Sequence, residues 1–140
     1  MPHLPARLCP LVLAASLAAP ALAETPHVSI ELNALDPVEG ACQLSFVVSN
    51  GHQADIDQSV YEAVLFDTEG RVDRLTLFDF GALPAGRPRV RQFVVPALDC
   101  AALGRVLING AETCTGSDLP AGACTTGLAL SSRTDVEVMG

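Results

Sequence analysis

EAVLFDTEGRVDRLTLFDF, Glu62 to Phe80, points most directly to the architecture of this chain. Two apolar-rich runs, Val60 to Phe66 and Val72 to Phe80, flank Asp67-Thr68-Glu69-Gly70. Asp at the first position of a turn and Gly at the last suit a type I turn closed by a residue in the left-handed region, a common link between antiparallel strands. Val60, Val64, Leu65, Phe66, Val72, Leu75 and Leu77 are strand formers or core fillers. The stretch therefore predicts a β-hairpin around which the remaining chain packs.

Upstream, His27 to Asn33 alternates, with Val28, Ile30 and Leu32 on one side, as a half-buried strand does. Asp36-Pro37 and Glu39-Gly40 mark a loop, and Ala41 to Ser49 forms a second strand that Asn50-Gly51 ends. Gly51 to Ser59 is a polar connection into the hairpin. Downstream, Arg89 to Val95 reads as a fifth strand bounded by Pro88 and Pro96, where proline costs no central-ladder bond. Ala97 to Gly104 is a loop with one helical turn at Asp99 to Ala102. Arg105 to Asn109 is a sixth strand running on towards Cys114, Cys124 to Ser131 a seventh, and Val136 to Met139 a short terminal piece. No segment sustains a 3.6-residue apolar period. Short strands separated by Gly, Pro, Asn and Asp predict an all-β fold, an antiparallel β-sandwich of immunoglobulin-like order with about seven strands. A small β-barrel is the alternative, because strand count does not fix closure.

The first residues carry a different signal. A short basic start, Met1 to Arg7, precedes the apolar run Leu8 to Ala19; Pro20 breaks the run and Ala21-Leu22-Ala23 matches a small-x-small cleavage box. This pattern predicts a signal peptide over residues 1–23 and a single domain over 24–140, periplasmic or secreted, with no transmembrane segment after processing. Processing would remove one of eight arginines and none of the sixteen acids, leaving a net charge of −9 and no lysine. Such an acidic domain is a poor partner for nucleic acid. Of five cysteines, Cys42, Cys100, Cys114 and Cys124 would remain. An even number in an exported chain indicates two disulfides, and the paired Cys-x-x-Cys knuckles of a zinc site are absent.

Chemistry-bearing patterns are few. His52, Asp55 and Asp57 share a polar loop but lack the ligand number and closing Glu of a calcium loop, so no metal is assigned. No nucleophile elbow or phosphate loop occurs, no catalytic residue is assigned and no cofactor is expected. Arg87, Arg89 and Arg91 alternate at period two, which predicts one guanidinium-bearing side of the fifth strand. In an acidic chain this row is either an anion-binding site or a solvated face paired with acids such as Asp73 or Asp79. Phe78 and Phe80 share a face and are expected to pack in the core.

The segments EAVLFDTEGRVDRLTLFDFG, LPAGRPRVRQF, DCAALGRVLING and the terminal VEVMG resemble a family of small exported bacterial proteins of unassigned function. That resemblance implies export and a compact domain, and implies no site residue. The expected function is a non-catalytic binding or accessory module engaging a protein or a cell-envelope component. The alternatives are a small-ligand carrier and a carboxylate- or metal-dependent enzyme. In an alternating seven-strand order the second and sixth strands run in the same direction on facing sheets, which places Cys42 and Cys100 at one end. The expected pairs are therefore Cys42–Cys100 and Cys114–Cys124.

Overall fold

The computed structural model describes Met1 and residues 18–140; most of the expected signal peptide, residues 2–17, lies outside the described residues. Eight strands follow in order: β1 (Val28–Val38), β2 (Ala41–Asn50), β3 (Ile56–Asp67), β4 (Val72–Leu83), β5 (Pro88–Pro96), β6 (Leu103–Thr115), β7 (Ala129–Ser132) and β8 (Glu137–Met139). A single 3-10 turn, Cys100–Ala102, interrupts the connection from β5 to β6. The strands form two four-stranded sheets, β5-β2-β1-β7 and β4-β3-β6-β8. Both sheets keep free edges, so the fold is a sandwich and not a closed barrel.

Through the first six strands all pairings are antiparallel. The two short terminal strands differ from the expected antiparallel scheme: β7 runs parallel to β1 and β8 parallel to β6. The fourth strand pairs with β3, across the sandwich from β5, instead of joining β5 as in a constant-type immunoglobulin domain. The segment Cys124 to Gly127, expected as strand, is a turn. Thr125 and Thr126 both donate backbone N–H groups to the Gly122 carbonyl, and only Ala129 onward reaches β1.

The hairpin forms as the sequence indicates. Gly70 has φ 80° and donates to the Asp67 carbonyl at 3.0 Å, while Asp67 N–H donates to Arg71 O at 2.8 Å. The Asp67 carboxylate accepts the backbone N–H groups of Glu69 and Arg71, each at 2.9 Å. The Arg71 N–H bond, with the others around it, lowers the Asp67 carboxyl below its ordinary value.

Alternation places Val28, Ile30, Leu32, Leu44, Phe46 and Val48 fully inside, facing Tyr61, Ala63, Leu65, Phe78 and Phe80. Phe46, Phe78, Phe80 and Phe93 form one aromatic cluster, with the Phe78 and Phe93 ring centroids 4.7 Å apart. Phe78 and Phe80 are therefore core, as expected. Leu75, Leu77 and Val72, read as strand formers or core fillers, take strand positions in β4 and are more than half exposed. For Leu75 and Leu77 the physical reason is parity: with Phe78 and Phe80 inside, both point outward.

Both disulfides form, Cys42–Cys100 and Cys114–Cys124, with Cα separations of 5.0 and 6.0 Å. The first ties β2 to the crossover between sheets. The second ties the end of β6 to the loop leading into β7. At that second end of the sandwich a buried polar group holds the loops together. Asn50 donates to Ala54 O and Leu83 O and accepts from His52 N–H. His52 Nε2–H donates to Ala123 O at 2.8 Å, and Tyr61 donates its hydroxyl to Cys124 O at 2.7 Å.

Candidate functional site

Strand β5 is the free edge of one sheet, and β4 is the free edge of the other on the same side of the sandwich. Along β5, Arg89, Arg91, Phe93 and Val95 share the inner parity, whereas Val90, Gln92 and Val94 are exposed on the outer one. Arg89 and Arg91 thus continue the inner face beyond the core, and their guanidinium groups lie at the rim. Arg87 precedes the strand, in the turn where Gly86 N–H donates to Asn50 O and Arg87 N–H to Pro84 O.

The acids proposed from the sequence as partners for this row are engaged elsewhere. Asp73 pairs with its neighbour Arg74 at 2.6 Å, and Asp79 accepts from Gly81 N–H at 2.9 Å. Because β4 and β5 belong to different sheets, their residues are not ladder neighbours. Arg91 instead reaches across the rim and donates to two β4 carbonyls, Phe80 O at 2.7 Å and Ala82 O at 2.9 Å. Arg74 makes the reverse contact from β4, to Pro96 O at 2.6 Å and Ala97 O at 3.1 Å. Two inward-facing arginines, one from each edge strand, thereby cap the carbonyls of the opposite edge. Inward-pointing charge is one of the ways a sheet edge is protected from pairing with other chains, and here the contacts guard the two ends of the β5 edge and leave Gln92 and Val94 between them.

Between these two contacts lies an open groove of about 440 Å³. Phe78 and Phe93 contribute to its lining, with Thr76, Gln92 and Val94 beside them and Arg74 as its one charged lining residue. Val90 and Val94 are 61% and 56% exposed on one bank, and Leu75 and Leu77 are 60% and 54% exposed on the other. Among the described residues Arg71, Arg74 and Arg133 lie within 4.0 Å of a carboxylate, whereas Arg87, Arg89 and Arg91 do not. Among the described residues Arg89 donates only to the Pro88 carbonyl, at 3.0 Å, which leaves most of its donors open.

The polar loop of His52, Asp55 and Asp57 does not converge on a point. His52 is buried on Ala123 O, and Asp55 accepts the Ala85 backbone N–H at 2.8 Å. Among the described residues no group of three or more His, Cys, Asp or Glu side chains is placed to hold a metal ion.

A second surface was not visible in the sequence. Register aligns Leu75 with Val64, Val64 with Leu107 and Leu107 with Met139, an apolar row crossing the outer face of all four strands of one sheet. Only the pairing of sequence-distant strands creates it. No family model, curated protein or solved structure matches this chain.

Proposed function

We propose that this chain is an exported, non-catalytic binding or accessory module of the cell envelope, whose arginine rim takes an anionic group of a protein or envelope partner. The observation that carries the reading is the row Arg87, Arg89 and Arg91, without a carboxylate partner among the described residues in a chain of net charge −8. Arg is a planar, permanently charged donor fork suited to carboxylate or phosphate. Export is supported by two structural disulfides, by the apolar run ahead of Ala21-Leu22-Ala23 and by the segments resembling small exported bacterial proteins. Among the described residues no helix is long and apolar enough to cross a membrane. A carrier would hold its ligand between the sheets, and aromatic side chains fill that space here.

The test is capture of envelope components by the chain starting at Glu24, compared with Arg87→Gln/Arg89→Gln. This pair is chosen because Arg91 holds the sandwich rim and its loss would confound binding with folding. The double variant should lose capture while keeping its melting midpoint, and added salt should weaken wild-type capture, because exposed charges are screened over about 8 Å at physiological ionic strength. Capture indifferent to both changes would refute the arginine rim as the binding site.

A further inference from the structure

We propose that the partner's anionic group sits on an extended acidic segment that adds to the free edge of β5 as a ninth strand. This rests on the reading above and specifies the occupant. The β2–β5 register runs without a shift from Ala41↔Pro96 to Ser49↔Pro88. In an unbroken antiparallel ladder, alternate residues turn both backbone groups towards the neighbour, and those between turn both away. The carbonyls of Pro88, Val90 and Pro96 all accept bonds from guanidinium groups at the rim, so the even-numbered residues face away from β2. The two prolines share that parity, where a missing N–H costs the ladder nothing. Between them, the N–H and C=O groups of Gln92 and Val94 face outward from the sheet edge.

This interval is bounded by the Arg91 contact at one end and the Arg74 contact at the other. From Val90 to Pro96 it spans roughly 20 Å at strand rise, room for about six residues of an extended segment. An added strand would place alternate side chains over the inner rim, first beside Arg89 and Arg91 and then over the groove with Phe93. Its other side chains would lie beside the exposed Val90 and Val94. Charge complementarity therefore selects an acidic residue at the Arg end and apolar residues further along. Main-chain bonds supply affinity in such strand addition, and the pockets for alternate side chains supply specificity.

The probe, a Glu-Val peptide, is a synthetic extended peptide with Glu at the end that meets Arg89 and Arg91 and Val at the positions that follow, with a Gln-Val peptide of equal length, Gln replacing Glu, as control, titrated into the chain starting at Glu24. Expected are binding of the acidic peptide and slowed hydrogen exchange of the Gln92 and Val94 amides on its addition. Arg87→Gln/Arg89→Gln should weaken the acidic peptide about tenfold or more, the scale of one charge-assisted bond. Val94→Pro removes an outward N–H without taking a donor from the β2 ladder and should abolish binding; Gln92→Pro serves if Val94→Pro lowers the melting midpoint. Binding that depends on Arg89 but leaves both amides unprotected and survives Val94→Pro would overturn strand addition and leave the anion site standing. Equal binding of the Gln-Val control, or no binding of the Glu-Val peptide, would overturn the proposed occupant, while envelope capture decides the arginine rim independently.

Discussion

Tyr61→Phe removes one oxygen from the polar end of the sandwich and leaves the ring. The ring retains its edge contact with Phe80, centroids 5.6 Å apart, so core packing is conserved. What disappears is the donor to the Cys124 carbonyl, in a residue with no solvent exposure. An unpaired buried carbonyl costs about 1–3 kcal/mol, and that is the expected loss in urea unfolding followed by circular dichroism. A second signature is alkaline. Burial pushes the Tyr61 phenol far above the ordinary tyrosine value, whereas the unfolded phenol ionises near pH 10. Because the folded value is the higher one, the stability from keeping Tyr61 protonated is complete below the unfolded value. It declines above that pH by about 1.4 kcal/mol per unit until the folded value is reached. The chain has one tyrosine and no lysine, so this slope belongs to Tyr61 and should vanish in Tyr61→Phe. Tyrosinate absorbance of the native protein reads the same group directly. A loss under about 0.5 kcal/mol, the range of unremarkable surface changes, or a native phenol titrating near pH 10, would refute the buried-bond account.

The disulfides should rank by the chain they enclose. For sequence separations of 58 and 10, Cys42→Ala/Cys100→Ala should cost about 4 kcal/mol and Cys114→Ala/Cys124→Ala about 3 by chain entropy, and an inverted order in denaturant titrations would contradict it. Gly70→Ala should lose roughly 1 kcal/mol, because φ 80° strains any residue with a Cβ, and an unchanged thermal midpoint would count against that turn. Asp67, lowered chiefly by its bond from Arg71 N–H, contributes stability above the ordinary aspartate value that is lost as pH falls through the lowered one. Asp67→Asn should flatten that part of the acid-unfolding curve; an identical acid limb in both proteins would show the turn carboxylate to be inert.

Turn chemistry and alternation were legible wherever the strands are regular. Asp67 to Gly70, the inner faces of β1 and β2, and both cysteine pairs follow from local sequence and strand order. Bulges hid the rest. A register shift between Leu32 and Ala34 restores inward parity, so β1 runs on through Asp36-Pro37 as a strand. Pro37 is tolerated because β7 covers β1 only from Ser29 to Leu32. Irregularities from Ile56 to Val60 likewise conceal the first turnings of β3 inside an apparently polar loop. Where both faces of a strand are apolar, as around Leu75 and Leu77, composition does not reveal which face is inside. Arg91 illustrates a deeper limit. Its partners are main-chain carbonyls on another sheet, and side-chain identity does not mark them.

The chain crosses between the sheets on both long sides of the sandwich, each time in four residues: 133–136 from β7 to β8, and 84–87 from β4 to β5. The β4–β5 side adds a second kind of crossing, because Arg74 and Arg91 each bind carbonyls of the opposite edge. Those two clasps are made by side chains, so they can be released one at a time by substitution while the chain link of residues 84–87 keeps the two edges together.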